Sequence, residues 1–170
     1  MGDLPTKRDR VLGGETSRLM PESVWEYPRP PRVEPSRKRV RVVLGGKVVA
    51  DSTSAHRVLE TSHPPVYYVP LSDVAPGSLE PACGPGTVCE WKGSASYYDV
   101  IGGDQRVQRG AWTYRDPAPG FEAIRDEVAF YPAAMDECTV DGEVVEPQQS
   151  GFYGGWITRD IVGPFKGGPT

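Results

Sequence analysis

Apolar and polar positions alternate over short stretches of this chain and nowhere recur at helical spacing for long, which predicts strands joined by tight turns. Arg39-Val40-Arg41-Val42-Val43-Leu44 partly alternates, and Lys47-Val48-Val49-Ala50 follows after Gly45-Gly46. Glycine tolerates the positive φ of the primed two-residue turns, so the pair predicts a hairpin. Glu137-Cys138-Thr139-Val140 and Glu143-Val144-Val145 repeat this grammar around Asp141-Gly142. Shared hairpin chemistry explains the likeness more simply than an internal duplication. Between them lie Arg57-Val58-Leu59-Glu60-Thr61, Val66-Tyr67-Tyr68-Val69 and Ser94-Ala95-Ser96-Tyr97-Tyr98-Asp99-Val100. The last ends at the turn Ile101-Gly102-Gly103-Asp104 and would pair with Val107-Gln108-Arg109-Gly110-Ala111-Trp112-Thr113-Tyr114; Glu127-Val128-Ala129-Phe130-Tyr131 completes the set. Helix is confined to a turn or two at Leu71-Ser72-Asp73-Val74 and Gly120-Phe121-Glu122-Ala123-Ile124-Arg125, with one more after Pro21-Glu22 anchored by Trp25.

The flanks read differently. Pro28-Arg29-Pro30-Pro31 and Glu34-Pro35 favour polyproline-like extension, so residues 1–38 form an irregular arm, expected to pack on the body or a partner through its Trp-bearing part. Residues 154–170 hold Trp156, Ile157, Ile161, Val162 and Phe165 among glycines: a coil pinned to the body by apolar side chains, or an interaction tail.

Composition sharpens this picture. At 170 residues one domain is expected. Valine outnumbers leucine 20 to 7, and Leu, Ile, Val and Phe together make only 35 residues, so the core must be thin and of β type. A coiled coil, a membrane-spanning protein and a collagen-like fibre are excluded. Residues 1–39 carry +3 and the remainder −7, so an acidic body speaks against nucleic-acid binding. No apolar run reaches the roughly 20 residues of a membrane span, and no apolar signal segment follows Met1-Gly2-Asp3-Leu4-Pro5. Three cysteines, an odd count, fit a reducing compartment, so a cytoplasmic protein without membrane attachment is expected.

Candidate chemistry is sparse. Cys83 and Cys89 are six apart and the only histidines are His56 and His63, so no metal site or cofactor is expected unless His56, His63 and a cysteine meet in space. No Gly-x-Ser-x-Gly elbow occurs, and Gly84-Pro85-Gly86-Thr87 lacks a phosphate loop's lysine spacing. Cys89, with Lys92 three residues on, reads as a buried small residue more readily than as a nucleophile. Lys92 itself precedes a strand whose Gly93, Ala95 and Tyr97 share one face, and small residues let a ligand approach a lysine closely. Desolvation there would make it nucleophilic; the alternative is a surface lysine after a turn. Tyr67, Tyr68, Tyr97, Tyr98, Trp112, Tyr114 and Tyr131 crowd the strand-rich half, where some complete the core and others line a site.

Many of these residues occur in the order typical of a known family. Val40-Arg41-Val42, Gly46, Val49-Ala50-Asp51-Ser52, Val58-Leu59-Glu60-Thr61, Pro64-Pro65-Val66-Tyr67-Tyr68-Val69-Pro70 and Asp73-Val74 come first. Cys89-Glu90-Trp91-Lys92-Gly93-Ser94-Ala95-Ser96-Tyr97-Tyr98, Ala111-Trp112-Thr113-Tyr114 and Ala129-Phe130-Tyr131 follow. In these motifs the chain resembles the DUF427 family over about residues 38–147. The resemblance divides the chain into an arm (1–38), a β domain (39–147) and a Gly-rich extension (148–170), the flanks being like those of actinobacterial-type members. It implies a mainly β fold of small antiparallel sheets, β-tent or barrel-like and Mss4-like, with short helical turns. The family label hints at nucleotidyl transfer, but this chain lacks the paired carboxylates after a Gly-Ser turn that metal-dependent transfer uses. Relatives of the β-tent group often bind zinc through two Cys-x-x-Cys knuckles; here Lys92 stands where the second thiolate would follow Cys89.

The leading expectation is a small-molecule pocket in the β domain, with Tyr67, Asp73, Lys92, Tyr97, Trp112 and Tyr114 as ligand-binding residues. Glu60 and Lys92 would form a charge pair for a zwitterionic or carboxylate-bearing ligand. An enzyme using Lys92 with Glu60 as its acidic partner, or Asp73 in that role, is the alternative. A third reading is an interaction or self-association module, a homo-oligomer built through the arms.

Overall fold

The computed structural model describes residues 21–89, 91–149 and 153–166. Residues 1–20 of the expected arm, Glu90 of the Cys89–Tyr98 motif, and residues 150–152 and 167–170 of the extension lie outside the described residues. The chain runs β1 (Glu22–Ser23), β2 (Arg32–Pro35), β3 (Val40–Leu44), β4 (Lys47–Ser52), β5 (His56–Leu59), β6 (Val66–Pro70), β7 (Leu79–Pro81) and β8 (Thr87–Cys89). It continues with β9 (Gly93–Gly102), β10 (Gln105–Thr113), β11 (Glu127–Phe130), β12 (Glu137–Val140), β13 (Glu143–Val144), β14 (Glu146–Pro147), β15 (Trp156–Ile157) and β16 (Ile161–Val162). Among the described residues helix is limited to single 3-10 turns at Val24–Glu26, Leu71–Asp73, Glu122–Ile124 and Pro132–Ala134, and no helix is long and apolar enough to cross a membrane.

The fold is mainly β. The larger sheet has the order β2-β5-β6-β11-β10-β9-β7, with β8 also paired to β9; the smaller has the order β13-β12-β3-β4. Neither closes into a barrel among the described residues. Both glycine-marked hairpins form. Gly45 and Gly46 take φ of +61° and +75°, and Asp141 and Gly142 take +49° and +83°. The two hairpins lie side by side in the smaller sheet, joined by antiparallel pairing of β12 with β3.

Period-two alternation sorts the larger sheet into two faces. One face, including Tyr67, Val69, Val100, Ala111, Val128 and Phe130, packs on Val40, Val42 and Leu44 of the smaller sheet to make the main core. The opposite face carries Val58, Tyr68, Ala95, Trp112, Tyr114 and Ala129, with Phe121 and Ile124 packed against them. Aromatic rings fill the volume that the scarce leucines leave.

The described parts of both flanks are built in. In the arm, β2 adds an antiparallel edge strand to β5, a position where proline is tolerated. Trp25 is not the anchor there. Ser23 caps the 3-10 turn by accepting from Trp25 N–H, which turns Val24 inward (fully buried, with Tyr27 beside it) and leaves Trp25 54% exposed, its indole donating to Pro164 O at 2.8 Å. Arg57 ties the arm to the body through Glu22 and Glu34. In the extension, Trp156 is 1% exposed; its Nε1 donates to Phe130 O at 3.2 Å and its backbone N–H to Pro65 O at 2.8 Å.

An aromatic cavity on the open face of the larger sheet

Trp112 and Tyr114 stand two apart on the β10 segment and so share the open face. Register places Trp112 beside Tyr97 of β9 and Ala129 of β11. Tyr131 continues the β11 alternation and packs on Trp112 with ring centroids 4.5 Å apart. Tyr68 of β6 meets Trp112 edge-on at 6.2 Å, and the Trp112 indole N–H donates to the Tyr68 hydroxyl at 3.2 Å. Burial pushes the Tyr68, Tyr114 and Tyr131 phenols well above the usual tyrosine range, so each stays a neutral hydroxyl. Together these rings wall a cavity of about 420 Å³.

The β8 hairpin forms one rim. The Arg109 guanidinium lies 4.1 Å from the Tyr97 ring centroid, and its two terminal nitrogens donate to Cys83 O (3.0 Å) and Pro85 O (2.8 Å). The Thr87 and Tyr97 hydroxyls are hydrogen-bonded at 2.9 Å. Gly86 makes the approach possible, since a Cβ there would sit 2.1 Å from Ala95 O. A second hollow, of about 480 Å³, shares Thr87, Tyr97, Tyr131 and Tyr153 with the first and extends over Arg109 and Pro132.

Charged and polar groups gather around His63. Lys92 Nζ lies 5.9 Å from the Tyr114 ring centroid, and its carbonyl accepts from Ala118 N–H at 2.8 Å, which fixes its backbone. Gln148 is 4% exposed. Its Nε2 donates to Lys166 O at 2.7 Å and faces His63 Nδ1 at 3.4 Å; its Oε1 accepts from Gly155 N–H at 3.2 Å. Tyr153 meets the His63 ring edge-on at 5.0 Å. Burial holds the His63 pKa below the ordinary histidine value; Glu60 opposes this, and Lys166, Lys92 and Arg29 add to it.

Of the residues singled out in the sequence, Glu60, Lys92, Tyr97, Trp112 and Tyr114 line this cavity. Tyr67 and Asp73 do not. Tyr67 points to the opposite face, 5.2 Å from the Trp156 ring, with burial pushing its phenol up to about 12. Asp73 lies at the end of its 3-10 turn, accepting from the Ser52 hydroxyl at 2.6 Å. Glu60 makes no ion pair with Lys92 among the described residues; it lies 4.0 Å from Arg29 Nε of the arm. Cys89 borders the cavity, whereas His56 sits 2.9 Å from Glu127 and is not among the lining residues, so the two histidines do not converge. Tyr68, Tyr131, His63, Gln148 and Lys166 also line the cavity. Alternation from Ala129 marks Tyr131, but no sequence pattern marks Gln148 or Lys166, which reach the site by tertiary packing of the extension.

Fold and site define a mainly β domain whose larger sheet has one face buried in a core and the other opened into an aromatic cavity. The chain belongs to the DUF427 family, described as a domain of unknown function, which it matches over residues 32–141. A comparison with curated proteins finds no match. Gln148, Tyr153, Gly154 and Lys166 lie beyond the family match, so part of the cavity wall comes from the extension.

Proposed function

We propose that this protein binds a small molecule in the aromatic cavity. The observation that carries the reading is the cavity itself: about 420 Å³, walled by Tyr68, Tyr97, Trp112, Tyr114 and Tyr131, with its charged groups gathered at His63. That volume falls within the roughly 300–1,000 Å³ of small-molecule sites, and an apolar wall with a few convergent polar groups is their usual make-up. A thermal-shift screen over metabolites tests it. A ligand at 100 times its Kd adds about 2.7 kcal/mol, a rise of about 5–10 °C for a domain of this size. Lys92→Met and Tyr97→Ala should remove the shift of a true ligand; hits that shift parent and variants alike would overturn the reading.

A catalytic use of the same site runs through Lys92, favoured by an ammonium that has no ion-pair partner among the described residues. Attack of its neutral amine on a carbonyl would expel water and leave an imine. Borohydride trapping with a carbonyl library should then give a covalent adduct in the parent and none in Lys92→Met; equal labelling of both refutes it. The same proposal takes the two sheets as a β-tent of the Mss4-like kind, the flanks as those of actinobacterial-type members, and the protein as cytoplasmic, where the three free cysteines stay reduced.

A further inference from the structure

We propose that the polar end of the cavity is an anion subsite, in which His63 Nε2–H and the ammonium groups of Lys92 and Lys166 receive the carboxylate of a ligand whose apolar body lies on the aromatic wall. The inference rests on reading the cavity as a binding site and narrows the ligand to an organic anion.

Gln148 decides the role of His63. Its amide is oriented by two partners of opposite kind: Oε1 must face the Gly155 N–H donor, and Nε2 must face the Lys166 carbonyl acceptor. The NH₂ group is therefore the one that faces His63 Nδ1. An imidazole nitrogen that meets a donor presents its lone pair, so the neutral ring carries its proton on Nε2. Burial and the neighbouring cations, against Glu60, lower its pKa from the ordinary histidine value and so favour the neutral ring. His63, a residue of the cavity wall, thus has its basic nitrogen already occupied and keeps a donor at Nε2, which suits anion recognition and not proton abstraction.

The surrounding charges have the matching sign. Lys92 and Lys166 line the cavity, and neither has an ion-pair partner among the described residues. Among the described lining residues the one carboxylate, Glu60, is met by Arg29 from the arm. Beyond residue 39 the chain carries −7, so this locally cationic end runs against the charge of the body around it. Among the described residues, the carboxylate that a zwitterionic ligand's ammonium would need is the one that Arg29 meets.

The test uses three probes of one shape on the full chain at pH 7, by calorimetry: 2-naphthoate, 2-naphthalenemethanol and 2-naphthylmethylamine. The expected order is carboxylate tightest by about tenfold or more, then alcohol, then amine, since charge-assisted hydrogen bonds exceed neutral ones by that much. Lys92→Met should narrow the gap between carboxylate and alcohol, the carboxylate losing the more affinity of the two. In parallel, long-range ¹H–¹⁵N spectra of the unliganded protein, assigned with His63→Gln, should show His63 protonated at Nε2. Equal binding of carboxylate and alcohol, or tighter binding of the amine, overturns the subsite while leaving the cavity a binding site. Failure of all three probes to bind counts against the cavity reading itself. A His63 ring protonated at Nδ1 overturns the donor role whichever probe binds.

Discussion

Gly154→Ala is the sharpest probe of how the extension seals the cavity. A Cβ built at Gly154 would lie 2.3 Å from Cη2 and 3.0 Å from Cζ3 of Trp112. Ordinary contact begins near 3.4 Å, so the two must separate by about 1 Å. Trp112 is 8% exposed and is held by Tyr131 at 4.5 Å and by its hydrogen bond to Tyr68, so it cannot slide freely. Overpacking of this kind costs about 1–3 kcal/mol, and stretching the 3.2 Å indole bond beyond hydrogen-bond range adds about 0.5–1.5 kcal/mol. The expected loss is about 2–4 kcal/mol, or a fall in Tm of about 5–15 °C. Urea unfolding followed by tryptophan fluorescence measures it. The cause is isolated by a double-mutant cycle with Trp112→Leu, which should recover about 1 kcal/mol or more of the Gly154→Ala cost. A Gly154→Ala protein as stable as the parent, or a cost that Trp112→Leu does not relieve, would refute the packing argument.

Trp156→Ala should cost about 3–5 kcal/mol in the same assay, because the extension's indole is part of the main core; a loss under about 1 kcal/mol would mean that the extension is only draped over it. The Asp99 carboxyl is held below the usual range by the Arg109 backbone N–H and by Arg106. Its contribution is full above the unfolded value of about 3.9 and is lost as pH falls through the lower folded value, so Asp99→Asn should flatten the acid side of the stability curve, as read by unfolding at stepped pH. Burial pushes the Cys138 thiol up to about 12, while Cys83 is exposed. An aromatic disulfide reagent at pH 8 should therefore modify Cys83 in the folded protein and Cys138 only in denaturant; rapid reaction at Cys138 would contradict its placement.

The strands of the β domain were legible because turn chemistry marks their ends: Gly45-Gly46, Gly103 and Asp141-Gly142 all take positive φ where the sequence asks for it. The arm's strand β2 was hidden because prolines around it argue for extension without pairing, and only an edge position reconciles the two. The cavity was legible where alternation had a reference point. Gly93 and Ala95 oriented Tyr97, and Trp112 oriented Tyr114. Val66-Tyr67-Tyr68-Val69 reads the same in both directions, so alternation cannot say which tyrosine faces the site; the structure selects Tyr68 and buries Tyr67 against Trp156. Asp73 was drawn in by its place among motifs, and order along a chain does not make residues neighbours. His63, Gln148 and Lys166 come together only because the extension folds back, a tertiary event without local periodicity.

The central claim, that a small molecule occupies this cavity, meets its most direct test in the four indole N–H resonances of the protein. Trp91 and Trp112 line the cavity, Trp25 faces solvent and Trp156 lies in the core on the far side of the sheet. Titration with 2-naphthoate should move the Trp112 and Trp91 signals saturably and leave those of Trp25 and Trp156 in place. Shifts confined to Trp25, or no saturable shift at Trp112, would contradict it.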